Sequence, residues 1–260
     1  MTEKLKFESK KLPAAAVMLA SAAFTLYMGG WWLMGLGIVL GAAMVWEYCR
    51  LWSRNPWFDV AAISALWLGY GFCPANFSIF AAGMIMLFGV DILRSVGDER
   101  YILPNLAPVY VGLPVLAFMN IVETASTSAV IYLLLITVAT DTGGMIFGRW
   151  LGGPKLAPSI SPNKTWTGFV GGTLLAFVCA TAYILCVMWS GNMDMGGNVY
   201  GFALASVVLS LAASVGDLFE SKVKRIVGVK DSSTLIPGHG GVLDRFDSFL
   251  FAVALMPFIL

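Results

Sequence analysis

Apolar and polar positions along this chain segregate into long blocks instead of alternating residue by residue. Nine apolar runs stand out, at about 12–28, 31–49, 57–73, 76–93, 105–122, 127–147, 166–190, 198–219 and 246–260. A helix needs roughly 17–25 predominantly apolar residues to cross the hydrocarbon of a bilayer, and most of these runs reach that length. Backbone polar groups in hydrocarbon need internal partners, which leaves helices or closed barrels as spanning structures. The runs show no period-two alternation, so they predict helices. The expected fold is all-α: a polytopic helical membrane protein with about nine transmembrane helices. It is read as a single membrane domain over 1–260, with N-terminal helices in 1–125 and the more polar connections in 126–260. Composition agrees: 58% of residues are hydrophobic and mean hydropathy is +0.81, against ~45–50% apolar content in soluble domains.

Charge then sets an expected orientation. All 16 Lys and Arg residues fall before the first run or in the connections after runs two, four, six and eight. The alternate connections carry only Glu123 and Asp194. Basic residues favour the cytoplasmic side, so the N-terminus is expected to be cytoplasmic and the C-terminus on the opposite side. Lys10 and Lys11 ahead of an apolar stretch with Ala20-Ser21-Ala22 resemble a cleavable leader. The intervening apolar run is short for one, so an uncleaved first helix is expected. The four cysteines have no metal-type spacing and read as small apolar side chains. Gly144/Gly148 and Gly168/Gly172 have the spacing that lets helices approach closely. Glu47, Asp59 and Asp91 are expected to reach the interface or to pair with Arg50, Arg54 and Arg94. Asp141 lies deeper, seven residues before Gly148, where a carboxylate needs a partner or a task.

The densest chemistry lies in 217–247. Only 12% of the chain is charged, yet this stretch holds Asp217, Glu220, Lys222, Lys224, Arg225, Lys230, Asp231, His239, Asp244, Arg245 and Asp247. If the eighth helix continues past its apolar part, Asp217, Ser221 and Lys224 fall on one face. Pro237-Gly238-His239-Gly240-Gly241 predicts a non-helical loop whose glycines let backbone N–H groups approach an anion. Such a loop could return Asp244 and Asp247 to face Asp217. Oxygen ligands of this kind suit Mg²⁺, which takes one or two carboxylates and completes its shell with water and phosphate. One histidine and unsuitable cysteines leave no zinc site. Ser161-Pro162 predicts a turn, and Lys164 stands just before the seventh helix, where the helix dipole also attracts anions. Neither a P-loop nor a Rossmann glycine pattern occurs, and nucleic acid is not an expected partner.

These residues resemble the phosphatidate cytidylyltransferases (CDP-diacylglycerol synthases). The resemblance is carried by Ser221, Arg225, Lys230-Asp231, Pro237-Gly238-His239-Gly240-Gly241, Asp244-Arg245 and Asp247. Asp141-Thr142-Gly143-Gly144, Gly148-Arg149 and Ser161-Pro162, Lys164-Thr165-Trp166 add to it. It implies transfer of a cytidylyl group from CTP to phosphatidate, giving CDP-diacylglycerol and pyrophosphate, with Mg²⁺ required and K⁺ beside it. It further implies a homodimer in the bacterial inner (cytoplasmic) membrane, with its active site facing the cytoplasm. On this reading Asp217 and Asp244 are metal ligands, joined by Asp247 and Asp141. Lys164, Lys224, Arg225 and Lys230 hold phosphates, Ser221 and His239 position them, and Asp231, Gly240, Gly241 and Arg245 complete the substrate contacts. Two other readings are weighed against it. A transporter would gather its polar residues at mid-bilayer, whereas most charges here collect at helix ends. A CTP-dependent polyprenol kinase would transfer the γ-phosphate to an alcohol instead.

Overall fold

The computed structural model describes residues 20–95, 102–125, 127–190, 198–236 and 240–259. It is helical almost throughout, and each of the nine apolar runs contains a helix. These are α1 (20–28), α2 (Gly30–Leu51), α3 (Trp57–Phe72), α4 (Phe77–Arg94), α5 (Leu113–Thr124), α6 (Thr127–Leu151), α7 (Trp166–Trp189), α8 (Val199–Val227) and α9 (Leu243–Leu255). Five of them, α2, α4, α6, α7 and α8, are long and apolar enough to cross a membrane. The all-α expectation needs one amendment. Lys155–Ala157 (β1) and Ser161–Thr165 (β2) pair as a two-stranded antiparallel ribbon, with Lys155 opposite Thr165 and Ala157 opposite Ser161. The turn expected at Ser161-Pro162 therefore falls earlier, at 158–160. Pro162 is tolerated because a two-stranded ribbon is all edge.

The chain divides into two compact units, 1–119 with 226–246, and 120–225 with 247–260. In the first, glycine at 29 with φ 63° separates α1 from α2, and Pro56 caps the start of α3. The core forms around Trp67, which is fully buried. Its indole N–H donates to the Gly112 carbonyl at 3.0 Å, on a single π-helical turn at Pro108–Gly112. A Cβ on Gly41 would come within 2.7 Å of the same ring, so glycine there lets α2 and α3 close on one another. At one end of these helices Arg54 ion-pairs with Asp59 at 3.5 Å and Asp91 at 3.6 Å. It also donates to the Pro104 carbonyl at 2.8 Å. The expected pairing of the two aspartates is thus made by Arg54 for both, while Arg94 stacks over the Phe58 ring at 3.8 Å.

In the second unit, α6 and α7 form a hairpin through the ribbon and approach at backbone distance. A Cβ on Gly172 would stand 2.5 Å from the Thr140 carbonyl oxygen, and one on Gly168 2.5 Å from that of Gly144. The small-residue pairs are therefore packing features, as their spacing indicates. Hydroxyl groups bind α8 to this hairpin: Thr140 donates to Ser210 at 2.8 Å and Ser210 to Thr173 at 3.3 Å. Tyr132 donates to the Phe202 carbonyl at 2.5 Å. Such contacts satisfy hydroxyls that hydrocarbon would leave bare. Gly216 repeats the device, since a Cβ there would meet the Asp247 carbonyl oxygen at 2.5 Å. The α8 helix runs eight residues beyond its apolar run, so Asp217, Ser221 and Lys224 do lie on one helical face.

Because the close approach involves backbone atoms that cannot move aside, Gly172→Ala is expected to cost about 1–3 kcal/mol. That corresponds to several degrees in melting temperature of the detergent-solubilised protein, at roughly 2–4 °C per kcal/mol for a chain of this size. Gly144→Ala, whose Cβ would meet nothing closer than 3.7 Å, is expected to melt within a degree or two of the parent.

Candidate active site

The second unit contains a cleft of about 710 Å³ between the ends of α6, α7 and α8 and the ribbon. That volume lies within the range of small-molecule sites, roughly 300–1,000 Å³. Two carboxylates, Asp141 on α6 and Asp217 on α8, open into it with Lys164, Lys155 and Arg149. Each group arrives for a local reason. Asp141 is displayed because the glycine seam of α6 holds that helix against the start of α7. Lys164 is carried by β2 one residue before Thr165, the N-cap of α7, whose hydroxyl accepts from Gly168 N at 3.1 Å. Thr167 bonds to Thr165 at 3.0 Å and to the Gly152 carbonyl, fixing the ribbon on the helix.

Within the cleft Lys164 ion-pairs with Asp217, and the Ser221 hydroxyl donates to Asp217 at 3.4 Å. Ser248 donates to Asp141 at 3.2 Å. Asp247, on α9, lies within electrostatic reach of both Asp141 and Asp217. Among the described residues no three of His, Cys, Asp and Glu gather tightly enough to cage an ion. An ion held by one or two carboxylates and completed by water and phosphate does not need such a cage. The donor set fits that ion: it is all oxygen, and Asp217 already takes a positive charge from Lys164.

Two expected phosphate contacts have protein partners. Lys224 pairs with Glu220 at 2.6 Å, one helical turn away, and Arg225 donates to the Ile160 carbonyl at 3.3 Å in the ribbon turn. Arg149, one of the residues that carry the resemblance, and Lys155, in the sequence only one of the basic residues of its connection, line the cleft. The pairing of β1 with β2 brings Lys155 opposite Thr165, beside Lys164.

The first unit holds the remainder of the signature in the loop between α8 and α9. Lys230, Asp231 and Arg245 are exposed there, and His239 lies outside the described residues. The glycines admit anions, as the sequence suggests, but the anions are the protein's own. Ser232 N reaches both carboxylate oxygens of Asp244, at 3.0 and 2.9 Å, and Gly241 N donates to it at 2.8 Å. Gly240 has φ 86°, and a Cβ there would stand 2.8 Å from the Asp244 carboxylate. The second anion is Glu47 on α2, fully buried. It accepts from Ser233 Oγ at 2.6 Å, Leu243 N at 2.7 Å, Val242 N at 2.9 Å and Ser232 Oγ at 3.3 Å. This corrects the expectation that Glu47 reaches the interface or pairs with a neighbouring arginine. Its partners lie 185–196 residues away, and four donors repay its desolvation better than one surface arginine would.

Comparison with known proteins identifies the family. The model of the cytidylyltransferase family matches residues 9–260. The chain belongs to that family. Similar proteins include the phosphatidate cytidylyltransferase of Staphylococcus aureus (strain COL), 36% identical over 208 residues, which cover 79% of this chain and 72% of that protein. The phosphatidate cytidylyltransferase of Staphylococcus haemolyticus (strain JCSC1435) is 41% identical over 188 residues, 70% of this chain and 68% of that protein.

Asp244 holds its loop through two amides, so Asp244→Ala leaves buried N–H groups unpaired, at about 1–3 kcal/mol. Limited proteolysis should then cut within 232–243 several-fold faster, while Asp217→Ala, which touches no loop amide, leaves the cutting rate at that of the parent.

Proposed function

We propose that this chain is a phosphatidate cytidylyltransferase, transferring a cytidylyl group from CTP to phosphatidate with release of pyrophosphate. The reading rests on family membership together with a cleft in which two carboxylates and three cationic side chains meet. A phosphatidate phosphate oxygen attacks the α-phosphorus of CTP in line. A new P–O bond forms as the bond to the bridging oxygen of the β-phosphate breaks, and pyrophosphate departs. A phosphate monoester is largely ionised at neutral pH, with a second pKa of about 6, so the attacking oxygen needs no strong general base. Catalysis is therefore mainly positioning and charge stabilisation.

Lys164, Lys155 and Arg149 neutralise the triphosphate, and Arg149 offers a planar, bidentate donor. Ser221 orients the Asp217 carboxylate and Ser248 that of Asp141. Asp217 and Asp141 would hold Mg²⁺, with Asp247 and Asp244 as further carboxylate candidates. When bound, the ion neutralises charge on the phosphates and on the leaving pyrophosphate. Lys224, on the α8 face of Asp217 and Ser221, and Arg225, on the next position round the helix, serve the substrate by holding Glu220 and the ribbon. Lys230, Asp231, His239, Gly240, Gly241 and Arg245 belong to the signature loop and are assigned to substrate phosphates by family resemblance, as are K⁺ use and a homodimer.

The bilayer supplies the lipid substrate. We place the N-terminus and the cleft on the cytoplasmic face of the bacterial inner membrane, with all nine apolar segments spanning, on the support of the one-sided distribution of Lys and Arg.

Purified protein given α-labelled CTP, phosphatidate and Mg²⁺ is expected to form labelled CDP-lipid. Transfer of γ-label to an alcohol would indicate the kinase instead and overturn the reading. Chelation should abolish turnover and Mg²⁺ restore it. Asp217→Ala and Asp141→Ala are each expected to lower kcat by about 100-fold or more, and Lys164→Ala to raise the KM for CTP. Parent-like kinetics in any one of these variants would remove that residue from the site.

A further inference from the structure

Glu47 lies outside the family signature, in the opposite half of the sequence, yet it grips both ends of the signature loop. Ser232 and Ser233 follow Lys230-Asp231, while Val242 and Leu243 stand between Gly241 and Asp244-Arg245. One carboxylate thus fixes the separation of the two halves of the loop. Its contacts with Val242 N and Leu243 N fall at the N-terminus of α9, where unpaired amides and the helix dipole would otherwise offer a phosphate a docking point. Glu47 takes that place itself. Gly241 admits it, since a Cβ there would come within 2.8 and 2.9 Å of the Glu47 carboxylate oxygens. Among the described residues of the loop, Lys230, Asp231, Thr234 and Leu235 are exposed, as is Arg245 in the first turn of α9.

We infer that Glu47 is a positioning residue for nucleotidyl transfer: its carboxylate holds the signature loop in the shape that presents Lys230 to a phosphate of CTP. The inference rests on the cytidylyltransferase reading above. The four hydrogen-bond partners of Glu47 among the described residues all donate, so the group that serves here is the acceptor-only carboxylate. Oε1 accepts from Ser233 and Val242, and Oε2 from Ser232 and Leu243. Gln keeps the shape but sets an NH₂ group against one of the two backbone N–H donors, neither of which can reverse. Asp keeps the charge and gives up reach.

The test is steady-state kinetics on the purified full chain, with CTP and phosphatidate varied separately and rates normalised to the monodisperse folded fraction. Glu47→Gln is expected to raise the KM for CTP about tenfold, in line with the cost of misplacing a binding group by a fraction of an ångström. The KM for phosphatidate should stay within about twofold, and Glu47→Asp should recover part of the loss. Ser233→Ala removes a single hydroxyl contact and should shift the KM for CTP in the same direction by about threefold. A purely structural tie predicts otherwise: fewer folded molecules, with both KM values at those of the parent. That result, or parent kinetics in Ser233→Ala when Glu47→Gln does not fold, overturns the inference. A parent protein that forms no CDP-lipid overturns the underlying reaction and the kinetic role with it. An active parent with unmoved variants overturns only the role of Glu47.

Discussion

A buried carboxylate must be satisfied where it sits, and among the described residues Glu47 meets that requirement at the greatest sequence distance. Moving an ionised carboxyl out of water costs several kcal/mol or more unless strong hydrogen bonds replace its hydration. Here two hydroxyls and two backbone amides replace it. Three of these bonds are buried: those from Val242 N and Leu243 N at the start of α9, and that from Ser232 Oγ. The carboxylate and the loop therefore depend on one another. Gly241 follows from the same constraint, because any side chain at that position would occupy the space the Glu47 oxygens need.

The second unit solves a different problem with smaller groups. A polar cleft at helix ends requires helices that stay close although lipid gives them no hydrophobic reason to associate. Glycines at 168 and 172 bring the α7 backbone onto α6, and the Thr140–Ser210–Thr173 hydroxyls carry α8 onto the pair. Asp141 follows Thr140 directly, so the residue that packs the helices also fixes the depth of a cleft carboxylate. The ribbon then supplies Lys155 and Lys164 from paired strands, at a spacing that a flexible loop would not hold.

Much of this was legible in the sequence, and the remainder was hidden for identifiable reasons. Apolar runs located the helices because burial in lipid makes each segment's character nearly uniform. The Gly144/Gly148 and Gly168/Gly172 spacings announced a close helix pair. The Asp217–Ser221 contact followed from helical periodicity once α8 was continued. Glu47 was misread because its nearest cations, Arg50 and Arg54, are local, while its real partners are neutral and nearly the whole chain away. The Glu220 partner of Lys224 stood one helical turn away in the sequence, within reach of the same periodicity. Lys155 looked like a basic flank, since only strand pairing sets it opposite Thr165, in the lining of the cleft that Lys164 shares. Five helices meet the length for crossing, while α3, α5 and α9 are shorter than a full bilayer thickness, a distinction that hydropathy alone blurs.

The carboxylates fall into two groups by the kind of donor they meet, and the division bears on which can serve as ion ligands. Glu47 and Asp244 are held by backbone amides, whose positions are set by the chain and cannot withdraw. Asp217 and Asp141 are held by side chains, a lysine ammonium and two serine hydroxyls, which can rotate away or re-pair. Exchange of a partner is what ion binding demands, because an incoming cation must replace a donor that already occupies the lone pairs. Withdrawing an amide would deform the loop, whereas withdrawing Lys164 only frees its charge for a phosphate. Asp217 and Asp141 thus exchange partners at the least cost to the fold, whereas Asp244 would take an ion only by giving up an amide that shapes the loop.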